Sequence, residues 1–365
     1  MKQLSKLMTK IKYIYNIFIE LSSKKLIVLI TKLTNILKFK AIDDESDKEK
    51  FNNILEDCLS NIKMNPLNPD LHSELANIYA SNKNWYFAIA EYRTSMALGN
   101  TSESLFLSLA LAYLEIKKNE IAESISKKIP KPIPREFIKK YKSTIPQPLN
   151  QFNHNRYYRM KTLSDKLNGL FEYSNFSILD VGGGDGAFSV FVPDAKYVLA
   201  EPCVNGISGI ELPFKENSID VVIACHVLEH IHQKKRIQFL KQLCLIAKKY
   251  VLLLNPFYIP DTYVDERLKL IVKLTNADWA KEHQDLTLPK LDEIKDFAEK
   301  NHYQYQISPN GSLTTTLAFV FLDHFVSISR KPDSLLEINN FYNTHPFNQL
   351  TNPELPTAYL VEISI

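Results

Sequence analysis

Residues 178–189 read Ile178-Leu179-Asp180-Val181-Gly182-Gly183-Gly184-Asp185-Gly186-Ala187-Phe188-Ser189. Ile178 to Val181 is a short apolar run with the character of a buried strand. The glycines after it let the backbone turn sharply and come close to a ligand. The helix-compatible sequence beyond them would present N–H groups that attract a carboxylate or phosphate. The spacing Gly182-x-Gly184-x-Gly186 suits that task, and with Ala187 as third small residue it also fits a dinucleotide-binding turn. A second apolar run, Tyr197 to Ala200, ends at Glu201. A carboxylate at the end of a second strand can accept hydrogen bonds from both hydroxyls of a ribose. To this point, nucleoside cofactors of more than one kind satisfy the pattern.

The discriminating residues follow. Glu211-Leu212-Pro213-Phe214-Lys215-Glu216-Asn217-Ser218-Ile219-Asp220 leads into the apolar run Val221 to Ala224, then Cys225-His226-Val227-Leu228-Glu229-His230-Ile231. In this order the three parts resemble the class I S-adenosylmethionine-dependent methyltransferases, in particular the type 11, quinone- and sterol-methyltransferase-like group. That group carries an acidic strand end before Gly-x-Gly-x-Gly, then an LPF–SFD segment, then a strand running into LEHI or LEHV. The likeness spans about residues 150–365 and is tightest over 178–231. It implies an α/β fold with a Rossmann-like class I methyltransferase sheet, and S-adenosylmethionine as cofactor. Asp180 would orient the loop and the donor amino group, Gly182, Gly184 and Gly186 would line the methionine moiety, and Glu201 would hold the ribose. Cys225 and His226 would stand beside the donor at the carboxyl end of strand four. His226 and His230 are the candidate bases for an acceptor that must lose a proton. Trp279 to His283 could wall the acceptor, with Glu282 or His283 facing it, while His324 and His345 read as structural or exposed.

Three departures from the family pattern stand out. Only Pro202 to Glu211 separates Glu201 from Leu212, so the usual helix between strands two and three must be lost or cut to a turn. Ser208 occupies the place where the family tends to carry an acid for the adenine amino group, leaving backbone near Ile210 and Glu211 as replacement. The segment from Gly186 to Tyr197 leaves room for a first helix of about two turns. Beyond the motif, a helix over Gln233 to Ala247 is expected to turn Ile237, Leu240, Leu243 and Ala247 to one face. Tyr250 to Leu254 reads as strand five and Tyr359 to Ile365 as an antiparallel final strand beside it. Leu291–Glu299 reads as a helix, Tyr303–Ile307 as a strand, and Leu313–Phe325 with Ser334–Tyr342 as an inserted helical pair. Asn255-Pro256-Phe257 has the look of an amino-base methylation signature, but it follows the wrong strand.

The first half repeats at 34 residues. Leu75-Ala76, Tyr79 and Ala88 recur as Leu109-Ala110, Tyr113 and Ala122. This resembles the tetratricopeptide repeat, in which small residues let two helices approach and aromatics fill the gap between repeats. Two copies bury too little alone; Phe51 to Met64, the N-terminal arm, or both would complete them. Such repeats imply a docking module for a partner protein or for the chain itself. Five prolines between Pro130 and Pro148 place a boundary near 148.

The net charge of +3 over 365 residues is uneven: residues 1–40 hold nine lysines against Glu20 alone, leaving the rest acidic. A basic body for nucleic acid is therefore not expected. The arm has the apolar step of an amphipathic helix, suited to packing on the next domain or lying on an anionic membrane surface. The expected division is a basic arm and acidic linker over 1–45, a helical module over 46–148 and a methyltransferase domain over 149–365. The four cysteines have no ligand spacing, so reduced thiols and no metal site are expected, in a cytoplasmic setting with peripheral membrane contact through the arm. The expected chemistry is methyl transfer to a small-molecule, lipid or saccharide acceptor, oxygen preferred. The competing reading is a scaffold whose repeats bind a partner and whose methyltransferase fold is degenerate.

Overall fold

The computed structural model describes residues 45–143, 149–172, 175–258, 264–328, 332–344 and 354–365. The basic arm, residues 1–40, and His345 lie outside the described residues. The chain forms two compact units, and they do not follow its linear order: residues 184–198 and 203–206 pack with the N-terminal half up to 146, while 147–183, 199–202 and 207–365 form the other.

In the first unit α1 (Glu45–Met64) precedes two helical hairpins, α2 (Pro69–Ser81) with α3 (Trp85–Ala97), and α4 (Glu103–Glu115) with α5 (Asn119–Ser126), before a short α6 (Arg135–Lys140). The sequence starts and stops these helices locally. The Asn68 side chain accepts from the Asp70 N–H and Pro69 occupies the first turn, while Ser102 Oγ accepts from the Leu105 N–H. Each hairpin turns through a lysine with φ 60°, Lys83 and Lys117, so the 34-residue step holds even in backbone conformation. Leu75, Ala76, Ala88, Leu109, Ala110 and Ala122 are fully buried, and α1 packs against α2, adding apolar surface that two hairpins lack.

The second unit opens with α7 (His154–Phe171). The sheet contains β1 (Ser177–Val181), β2 (Lys196–Ala200), β3 (Ile219–Cys225), β4 (Ala247–Asn255), β5 (Gln304–Asn310) and β6 (Ala358–Ser364), in spatial order β2-β1-β3-β4-β6-β5. β1 pairs β3 and β3 pairs β4 in parallel, with Asp180 beside Ile223 and Cys225 beside Leu254. β6 runs antiparallel to both β4 and β5. Val221–Ala224 and Val251–Leu254 are continuously buried, as strands covered on both faces must be. This is a mixed α/β fold with a Rossmann-like sheet, and β6 takes the antiparallel place expected for the final strand.

The structure corrects several local expectations. Between β1 and β2 there is no two-turn helix, only the 3-10 turn Ala187–Phe191. Between β2 and β3 stands the four-residue α8 (Pro202–Asn205), and among the described residues neither a strand nor a longer helix forms there. The stretch holding Pro202, Gly206 and Gly209 is too short and too broken for either. On α9 (Gln233–Ile246), Leu240 and Leu243 are buried as expected, but Ile237 is 42% exposed and Arg236 takes the buried place.

Among the described residues, five helices lie between β4 and β6: α10 (Val264–Thr275), α11 (Asp278–Leu286), α12 (Leu291–Lys300), α13 (Leu313–Ile328) and α14 (Pro332–Thr344). Leu268 and Ile271 of α10, Ala280 of α11 and Leu288 form a small core on which Leu317, Val320 and Phe321 of α13 pack. α14 is tied to the start of α7 by asparagines. Asn343 donates to the carbonyls of Asn150 (3.0 Å) and Phe152 (2.8 Å), and its Oδ1 faces His154 Nδ1 at 2.9 Å. The His154 ring rests on Phe319, centroids 4.6 Å apart.

Candidate functional site

The loop that follows β1 is shaped by glycines for different reasons. Gly182 has φ 73°, and a Cβ there would meet Val227 at 2.5 Å, so only glycine lets this turn pass the residue after His226. Its N–H donates to the Ala200 carbonyl at 2.8 Å, binding the end of β1 to the end of β2. Gly184, with φ 58°, has nothing within 4 Å of such a Cβ, so its outer face is open. Gly186 is also left-handed, φ 72°, and starts the 3-10 turn. Asp180 is buried at the last turn of β1, and Glu201 stands directly after β2.

Next to β1, β3 delivers Cys225 and His226 at its carboxyl end. The Cys225 thiol is pushed up to about 12 by burial, so it is a neutral neighbour and no nucleophile. His226 adopts φ 56°, and its N–H donates to Leu254 O at 2.8 Å. That conformation is costly outside glycine, and the turn into 228–230 holds it. Its Nδ1 stands 3.0 Å from Glu229 Oε1, while its Nε2 is buried without a hydrogen-bond partner. Burial, reinforced by the Arg159 guanidinium and only partly offset by Glu229, lowers the imidazole to about 4, so it is neutral at pH 7. Glu229 is fully buried. Burial raises its carboxyl, but His226, a hydrogen bond from it and a backbone N–H together hold it below the usual range. Asn255 Nδ2 donates to its Oε2. Asn255, in the stretch whose likeness to a base-methylation signature was set aside for following the wrong strand, thus braces a carboxylate.

His226, Glu229 and His230 line a cavity of about 800 Å³ whose other walls come from α7, α10, α11, α13 and the edge of the sheet. The sheet contributes Pro256 after β4, Asn310 at the end of β5 and Ala358 at the start of β6. With β6 reversed, all of these lie on the edge where the parallel strands finish, the edge at which open α/β sheets hold ligands. Arg156, Arg159 and Arg267 face the cavity, with Asp323 among the lining residues. Arg159 is lowered by burial, although Cys225 and Glu229 oppose this, and Arg267 is lowered by burial as well.

Sequence reasoning placed His226 and His230 together, and the cavity contains both. His230 is half-exposed, with Nδ1 3.1 Å from Glu282 Oε2. It approaches His283, ring centroids 5.0 Å apart, and His283 is buried with a partnerless Nε2. Of the suggested acceptor wall, His283 and Trp279 line the cavity; Glu282 acts on His230. His324 also lines the cavity, against the expectation that it is structural or exposed. The arginines of α7 and α10 went unread, because no motif marks them and only folding brings them to one cavity. The backbone N–H groups of Ile210 and Glu211 are not spare donors: they bond Ser208 Oγ at 3.3 Å and Ser208 O at 3.2 Å.

No protein-family model matches the chain, and no curated protein does. Solved structures similar to it include the YcgJ protein of Bacillus subtilis, at 12% identity over 57% of this chain and 97% of that one, TM-score 0.35. A SAM-dependent methyltransferase of Archaeoglobus fulgidus is 14% identical over 56% of this chain and 94% of the other, TM-score 0.34. Magnesium protoporphyrin IX methyltransferase of Synechocystis, solved with bound SAH, is 12% identical over 57% and 83%, TM-score 0.35.

Proposed function

We propose that the chain transfers a methyl group from S-adenosylmethionine to a small anionic acceptor, with oxygen as the acceptor atom. The observation that carries this is the cavity at the carboxyl ends of β3 and β4, with the buried, unpartnered Nε2 of His226 on its wall. On the same edge of the sheet stand the strand ends bearing Asp180 and Glu201, the two carboxylates the motif assigns to the donor. The open face of Gly184 fits the carboxylate end of that donor, because nothing of the chain occupies the space beside its Cα. Asp180, Gly182, Gly184, Gly186, Glu201 and Cys225 are the residues that would hold it. When bound, the donor supplies a methyl carbon already activated by a sulfonium centre, so the protein's task is mainly positioning. His226 is assigned the acceptor's proton, and Arg156, Arg159 and Arg267 its negative charge. We read the tetratricopeptide-like helices as an intramolecular dock, since they hold residues 184–198 and 203–206 of their own chain.

The scaffold reading draws on one observation: among the described residues the connection from β2 to β3 forms no strand, and its Ile210 and Glu211 amides are engaged by Ser208. Calorimetric titration with S-adenosylmethionine decides between the two. We expect binding, and we expect Gly184→Asp to weaken it at least 100-fold, because a second carboxylate would share the donor's place. Aspartate tolerates left-handed backbone and finds room there, so the fold should survive. No heat of binding at millimolar donor would leave the scaffold.

A further inference from the structure

We propose that Glu229, His230 and His283 form a site for a first-row divalent cation at the wall of the cavity. One ligand atom from each of the three lies within 4.8 Å of the others, and all three residues line the cavity. A bound ion with ligands about 2.0–2.2 Å away sets donors about 3.3 Å apart, so the cluster needs only a small side-chain contraction. Two of the three are buried, and His283 Nε2 has no hydrogen-bond partner, a costly condition for a polar atom less than one-tenth exposed.

The surroundings are those of a ligand set. Asn255 fixes Glu229 through Oε2, and the Glu282 carboxylate beside His230 Nδ1 leaves the other ring nitrogen for an ion. The segments that bear the donors are joined by one buried side chain. Arg236 donates to Ile231 O at 3.0 Å, just after the turn Leu228–His230, and to Leu286 O (3.3 Å) and Thr287 O (2.5 Å) at the end of α11, which carries His283. One carboxylate and two imidazoles suit Zn²⁺, Mn²⁺ or Fe²⁺ better than Mg²⁺ or Ca²⁺, which prefer all-oxygen sets. Three protein donors leave coordination positions open toward the cavity, as catalytic sites do and closed structural sites do not. On the methyl-transfer reading, the ion would orient and polarise the acceptor oxygen; the site itself stands on its donors alone. The cysteine and histidine spacings gave no sign of it, because 53 residues separate His283 from His230.

The test uses the full chain, stripped with chelator and dialysed against Zn²⁺, with bound metal counted by mass spectrometry and Co²⁺ loaded in parallel for its visible absorption. We expect one Zn²⁺ per chain and ligand-field bands from Co²⁺. His230→Ala, at a half-exposed position, and His283→Ala should each weaken binding at least tenfold, while the exposed His302→Ala should not. Circular dichroism confirms that each variant folds. Less than a tenth of an equivalent bound, or wild-type affinity in both ligand variants, would mean an adventitious ion only and overturn the proposal. Titration of the same preparations with S-adenosylmethionine reports on the donor separately, so loss of either reading is visible without the other.

Discussion

Each unit contains a buried arginine whose hydrogen bonds go to backbone carbonyls, and the two do different work. In the first unit Arg93 of α3 reaches the 3-10 turn after the glycine loop, bonding Ser189 O, Val192 O (2.7 Å) and Ala195 O (2.6 Å), and it stacks over Tyr197. In the second, Arg236 gathers the carbonyls of Ile231, Leu286 and Thr287, and Glu293 stands 3.8 Å away. Arg93 spans about a hundred residues of sequence and braces the stretch from Ser189 to Ala195. Arg236 ties the segment after the turn Leu228–His230 to the end of α11. In each unit a buried guanidinium gathers carbonyls from segments far apart in sequence, and each does so within its own unit.

Removing the two arginines is the most direct way to break this comparison. Arg93→Ala should cost about 3–5 kcal/mol, since three buried carbonyls lose charge-assisted hydrogen bonds and nothing replaces them. Denaturant unfolding measures it, and a loss under about 1 kcal/mol would mean the turn holds itself. Arg236→Ala should cost less, about 2–4 kcal/mol, because its hydrogen bonds are only partly buried where those of Arg93 are buried. Its further mark should be weaker Zn²⁺ binding, by dialysis, with His230 and His283 unaltered. Equal metal affinity would separate the clamp from the donors.

The smallest expected effect sharpens the contrast by pH. Beside Arg93 on the same helix, Glu91 accepts from Asn205 at 2.9 Å and faces His72 Nδ1 at 2.6 Å, while His72 Nε2 faces Pro66 O at 2.9 Å. Both ring nitrogens look at oxygen, so the imidazolium satisfies both. Burial lowers this histidine, but the Glu91 charge and hydrogen bonds to Glu91 and Pro66 outweigh it, and the net direction is upward. A folded value above the unfolded one means stability that is full below about pH 6.5 and lost as pH rises through the folded value. The wild-type chain should therefore show a falling unfolding midpoint on the alkaline side, and His72→Gln should flatten that slope. A slope that survives the substitution would assign it to another group.

Much of the sheet and its glycine turn was legible in advance. Gly182, Gly184 and Gly186 after an apolar strand, then Glu201, then the run into Cys225-His226, fix the order of β1, β2 and β3 because strand ends, tight turns and buried runs are local signals. The 34-residue step was legible for the same reason, and Lys83 and Lys117 repeat it in φ. The outlook of Ile237 was misread by one residue, since a helical pattern alone does not show that Arg236 has carbonyls to bury against.

The sequence by itself determined the elements and their order: helical hairpins at a fixed step, a glycine turn after the first strand, two carboxylates at strand ends and a histidine after β3. Only the tertiary structure decided that residues 184–198 and 203–206 belong with the repeat helices, that three arginines line one cavity, and that His283 meets His230 and Glu229. The physical reason is range. Turns, caps and periodic burial act over a few residues and leave their mark in composition, whereas a buried guanidinium or a set of metal donors takes partners wherever the fold brings them.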